Sequence, residues 1–133
     1  MEVIINRCYG GYGLSHKAVM KYAELKGIKL YPYIDDATKR VYGKEATFDN
    51  PRICLHYSTK PASNEKELND NYFSERDIER TDKILIQVIK ELGEEANSRH
   101  AKLKIVYIPD GIDYEIDEYD GIETIREKHR TWS

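Results

Sequence analysis

The chain opens on an unbroken apolar run, Val3-Ile4-Ile5, bounded by Glu2 and Asn6 and cut off by a cluster of glycines. β-Branched residues in so short a run predict a strand over 2–6, buried on at least one face. Ser15 is placed to cap a helix. From His16 to Lys26, Val19, Tyr22 and Ala23 recur at helical spacing, Met20 and Leu25 widen the stripe, and Gly27 supplies a stop. Residues 28–34 alternate and predict a second strand, and Pro32, with no N–H to donate, places it at a sheet edge. Residues 35–50 mix turn formers with Val41, Tyr42 and Phe48, a pattern for a hairpin or an irregular excursion, before a strand resumes at 52–57.

The polar stretch from Ser58 to Asp70 contains Pro61 and Asn64 and has no sustained period, so it reads as a mobile loop ended by Tyr72 and Phe73. Thr81 then caps the clearest helix, over 82–92, where Ile84, Leu85, Val88, Ile89 and Leu92 form one broad apolar face before Gly93. Residues 102–108 and 113–119 both alternate, and Pro109-Asp110-Gly111 between them predicts that they pair as a hairpin. After Asp120-Gly121, residues 122–129 read as a last short helix with Arg126 and Arg130 one turn apart on one face. The sum is a small single domain of mixed α/β (α+β) class, mainly antiparallel sheet packed with two to three helices.

Composition narrows the partners. The 133 residues are 40% hydrophobic and 34% charged, a globular balance. A net charge of -3 gives no global pull toward nucleic-acid polymers or anionic lipid, although a local basic pocket for a small anion stays open. No apolar run approaches the roughly 20 residues of a membrane span. With no leader pattern at the start of the chain, a soluble intracellular protein is expected, and Cys8 and Cys54 are expected as reduced, buried thiols with no zinc spacing.

The glycine loop Gly10-Gly11-Tyr12-Gly13 runs from a strand into a helix, a placement that aims backbone N–H groups and a positive dipole at an anion. It matches neither common nucleotide fingerprint, and a tight turn is the competing explanation. Arg7, Tyr9 and Tyr12 favour a ligand, because a guanidinium suits phosphate and an aromatic face suits a base. Arg126 and Arg130, with His129 and Trp132 alongside, would converge on one phosphate or pyrophosphate. The alternative is that they pair with Glu115, Asp117 and Glu118, or with Glu123 and Glu127. Arg76 and Arg80 repeat the spacing after Tyr72 and Phe73, with a solvated surface as the competing reading. The histidines His16, His56, His100 and His129 are scattered, and no metal or catalytic constellation emerges. A binder of a small, anionic, base-containing ligand, with no cofactor and no turnover, is the simplest reading.

The stretch from Asn6 to Ser15, the helix 84–92 with Gly93 to Asn97, the run 103–109, and Glu118-Tyr119-Asp120-Gly121 with residues 127–132 together resemble the phage anti-Thoeris sponge proteins of the first described type. The resemblance spans nearly the whole chain. It implies a prophage or bacteriophage protein, acting in the cytoplasm of the infected bacterial host, that is not an enzyme. Such proteins sequester the cyclic ADP-ribose isomer made from NAD by TIR-domain defence enzymes. The resemblance further implies a homodimer with ligand pockets near the subunit interface, able to assemble into hexamers that also capture cyclic trinucleotides. It assigns ligand contact to two arginines four apart near the carboxyl end, matched here by Arg126 and Arg130. It also implies an aromatic side chain stacked on adenine, for which Phe73 and then Tyr72 are the first candidates and Tyr9 and Tyr12 are alternatives. The stretch 58–70 would be a lid. An enzyme that cleaves a nucleotide signal through His129 or the 115–120 carboxylates, and a phage structural or host-interaction protein using its 11 tyrosines, are the competing functions.

Overall fold

A computed structural model describes residues 1–36, 39–45, 54–98 and 100–128. The chain is of mixed α+β class with antiparallel strand pairing, and it divides into two compact units: residues 1–18 with 78–133, and residues 19–77.

In the first unit, β1 (Glu2–Asn6) pairs antiparallel with β6 (Leu103–Tyr107). Val3 faces Val106 and Ile4 faces Ile105 across the ladder, an apolar pairing between ends of the sequence. This corrects the expected partner of residues 102–108. The Pro109-Asp110-Gly111 turn instead carries the chain past Met1, whose carbonyl accepts from Ile108 N–H and whose ammonium meets Asp110 at 2.9 Å. The helix α3 (Lys83–Leu92) lies on β1 and buries Leu85, Ile86, Val88 and Ile89. Its cap is Asp82 rather than Thr81: Asp82 Oδ1 accepts from the N–H groups of Ile84 and Leu85 at 2.9 and 3.1 Å. A 3-10 turn, Gly93–Ala96, follows.

The expected terminal helix is a strand. Residues Tyr114–Tyr119 (β7) and Ile122–Glu127 (β8) form a hairpin in continuous register from Tyr119 opposite Ile122 to Tyr114 opposite Glu127. Its two-residue turn, Asp120-Gly121, has φ of 49° and 90°, the conformation that Asp-Gly hairpin turns favour. Ile122, Thr124 and Ile125 suit the pleat better than a helix. Arg126 therefore projects from a strand, and Arg130 and His129 lie outside the described residues.

The second unit holds a four-stranded sheet in the order β3-β2-β4-β5, from β2 (Tyr31–Asp36), β3 (Lys39–Glu45), β4 (Cys54–Ser58) and β5 (Tyr72–Phe73). Contrary to the edge placement, β2 is an interior strand. Pro32 is tolerated near its start, where the described ladder to β3 begins only at Tyr33. The β2–β3 hairpin agrees with the hairpin alternative for the following segment, although residues 46–53 lie outside the description.

Part of the expected loop 58–70 is helical. Helix α2 (Glu65–Asp70) is capped by Asn64, whose Oδ1 accepts from Glu67 N–H at 2.9 Å, while Glu67 Oε2 accepts from Ser63 N–H. Leu68, Ala62 and Tyr33 cluster beneath it, and the Tyr33 hydroxyl accepts from Ala62 N–H at 2.7 Å. A short 3-10 turn, Glu75–Asp77, closes the unit.

Helix α1 (His16–Lys26) has the predicted bounds, with Ser15 Oγ accepting from Ala18 N–H at 3.1 Å. At its other end Ile28 N–H reaches Ala23 O and Gly27 N–H reaches Glu24 O, the paired bonds of a Schellman stop, with Gly27 at a φ of 73°.

Candidate functional site

The loop after β1 is tied down by a buried polar cluster. Asn6, fully buried, ends the strand and uses every polar atom: Nδ2 donates to Cys8 O at 2.8 Å and Gly121 O at 2.7 Å, while Oδ1 accepts from the N–H groups of Lys102 and Cys8. Its own N–H donates to Glu123 Oε1 at 2.8 Å. Glu123, inward on β8, receives both forks of Arg80, Nη1 to Oε1 at 2.6 Å and Nη2 to Oε2 at 2.8 Å. Arg80 Nη1 also donates to Ile4 O, and its guanidinium covers the buried Tyr12 ring at 3.4 Å from the centroid. A carboxylate at this depth is retained because it is paired and hydrogen-bonded.

This cluster joins the glycine loop to the β7–β8 turn. A Cβ on Gly121 would stand 2.5 Å from Gly11 N and 2.6 Å from Tyr9 O, so the two backbones meet without room for a side chain. Gly10 is packed in the same way, and a Cβ there would overlap the His100 backbone and Cβ. Gly11, at a φ of 96°, opens to space on its Cβ side, while its N–H points toward Cys8 O at 3.4 Å. The glycines thus serve close approach between protein segments. Leu14 bridges to Asn97, and Ser15 Oγ donates to Glu95 O, which seats the helix start against the 3-10 turn after α3.

Several expected site residues belong to this unit. Arg7 is exposed at the strand end, with Nη1 donating to Glu123 O at 2.9 Å. Tyr9 is 72% exposed. Tyr12 is buried, one ring face taken by Arg80. Arg126 is exposed on β8 and held by its hairpin partner, with Nη2 donating to Glu115 Oε1 and Nε lying 3.1 Å from Asp117 Oδ2. The Glu115 hydrogen bond, then the charges of Asp117 and Glu115, push the Arg126 pKa up from its ordinary value. The acidic-strand alternative for Arg126 is therefore the observed arrangement.

Tyr72, Phe73 and Arg76 belong to the second unit. Phe73 is half-buried opposite Tyr57, and Tyr72 is half exposed with its ring tilted against His56 at 6.0 Å. Arg76 is exposed in the 3-10 turn, its N–H directed at Ser74 Oγ. Tyr57, buried with Glu75 nearby, is raised well above the ordinary tyrosine pKa, first by burial and then by that carboxylate.

Sequence reasoning named Arg80 beside Arg76, and Glu123 as a partner for Arg126 and Arg130, but missed the role of Asn6 and the pairing of Arg80 with Glu123. The signal for Asn6 was a lone amide ending a β-branched run; for Glu123 it was alternation after Asp120-Gly121, legible once that dipeptide is taken as a hairpin turn. Among the described residues, no group of three or more His, Cys, Asp or Glu is arranged to hold a metal ion, and no helix is long and apolar enough to cross a membrane. Cys8 is a free thiol. No family model matches the chain, and neither the curated proteins nor the solved structures contain a significant match.

Proposed function

We propose that this chain binds and sequesters a cyclic ADP-ribose isomer made by TIR-domain defence enzymes, returning it unaltered. In this reading it is a phage immune-evasion protein, acts in the host cytoplasm as a homodimer able to build hexamers, and needs no cofactor. The observation that carries the proposal is the joining of the glycine loop to β8. Arg7, two residues before the exposed Tyr9, donates to the backbone of Glu123 on the strand that also bears Arg126. Guanidinium groups and an exposed aromatic ring carried on joined segments suit a ligand made of phosphates and a base. The resemblance supplies the identity of that ligand and extends the contact to Arg130.

The test mixes the purified protein with the isomer from a TIR-domain enzyme, measures binding by calorimetry, then denatures the protein by heat and identifies the released small molecule by mass spectrometry. Stoichiometric binding with intact ligand recovered is the expected result. A new product makes the protein an enzyme instead.

A second reading rests on Tyr9, Tyr107 and Tyr119, which are 72%, 75% and 77% exposed. Tyrosines so placed suit a protein interface, and absence of any nucleotide binding together with capture of a host or phage protein favours it.

A further inference from the structure

Glu115 stands directly across the β7–β8 ladder from Arg126, and Asp117 is the diagonal neighbour on the same face. One carboxylate bonds Nη2 and the other lies against Nε, so two sides of the guanidinium fork are committed to the hairpin's own acids. We infer that Glu115 and Asp117 act as an internal competitor for the anion that Arg126 receives, and so set the affinity and the class of anion that binds. The inference rests on the reading of Arg126 as a ligand contact.

A guanidinium recognises a carboxylate and a phosphate through the same planar N–H donors. A phosphate approaching Arg126 must therefore displace the hairpin's acids or share the fork with them. Both acids are partly exposed, at 37% and 48%, as is Arg126 at 56%, and solvent-screened pairs of this kind are weak and exchange readily. A diphosphate has enough anionic oxygens to replace both carboxylates at once. A monoanion replaces one and is repelled by the other. The arrangement selects ligands with adjacent phosphates over simple carboxylates.

Calorimetric titration with the cyclic ADP-ribose isomer tests this on four full-length proteins: wild type, Arg126→Ala, the pair Glu115→Gln with Asp117→Asn, and all three changes together. The isosteric carboxamides keep the strand shape, which circular dichroism verifies. The expected result is binding up to about fivefold tighter for the carboxamide pair than for wild type, with the gain abolished when Arg126 is also replaced. A gain that persists without Arg126 is a general charge effect and overturns the inference. No gain, in a protein that Arg126→Ala weakens, also overturns it and leaves Arg126 as a ligand contact. Wild-type affinity in Arg126→Ala, or no binding by wild type, overturns the reading of Arg126 itself and the competitor with it.

Discussion

The guanidinium of Arg80 and the carboxylate of Glu123 meet as a two-pronged pair at 2.6 and 2.8 Å, although they lie 43 residues apart in the chain. Glu123 also receives Asn6 N–H, so one side chain on β8 satisfies the end of β1 and the segment before α3. Replacing it with Ala leaves Arg80, only 22% exposed, without its counter-charge. A loss of about 3 kcal/mol in urea unfolding is expected for Glu123→Ala. A change below about 0.5 kcal/mol, the range of ordinary surface substitutions, would show that water replaces the carboxylate freely.

Gly121 combines a φ of 90° with backbone contacts that leave no space for a Cβ. Gly121→Ala is expected to cost more than about 1 kcal/mol, through strain at the turn and separation of the hairpin from the glycine loop. Equilibrium unfolding measures the loss, and amide exchange at Asn6 and Gly11 shows whether it is centred there. Gly11→Ala strains the chain at a φ of 96° but meets nothing within 4 Å, so it should cost less.

The identity of the α3 cap is separable by mutation. Asp82→Ala removes the acceptor for two helix N–H groups and should cost about 1 kcal/mol, whereas Thr81→Ala should stay within about 0.5 kcal/mol. Urea midpoints of the two variants decide it.

Tyr57 holds its proton in the folded chain beyond the pH at which an unfolded tyrosine loses it. Its raised pKa contributes stability that is fully present below the ordinary tyrosine value of about 10 and is lost as pH rises past it. Absorbance titration at alkaline pH should show one tyrosine ionising late, and that step should vanish in Tyr57→Phe. Wild-type stability should decline above about pH 10 more steeply than that of the variant.

Local chemistry was legible wherever one stretch of chain sets its own conformation. The run Val3-Ile4-Ile5 is a strand, Ser15 and Gly27 bound α1, and the apolar stripe of α3 faces inward, each readable from neighbours within a turn or a pleat. Two Asp-Gly dipeptides, at 110–111 and 120–121, offered equal hairpin signals. Choosing between them required partners distant in sequence: Val106 and Ile105 pair with Val3 and Ile4, which leaves β7 to close on β8. That choice turned an expected helix into a strand and set Arg126 opposite Glu115. Tertiary structure likewise decided what the glycines are for. Nothing within residues 6–15 encodes that Gly121 and His100 fill the space beside Tyr9, Gly10 and Gly11, because close approach between backbones belongs to both segments and is specified only when both are in place.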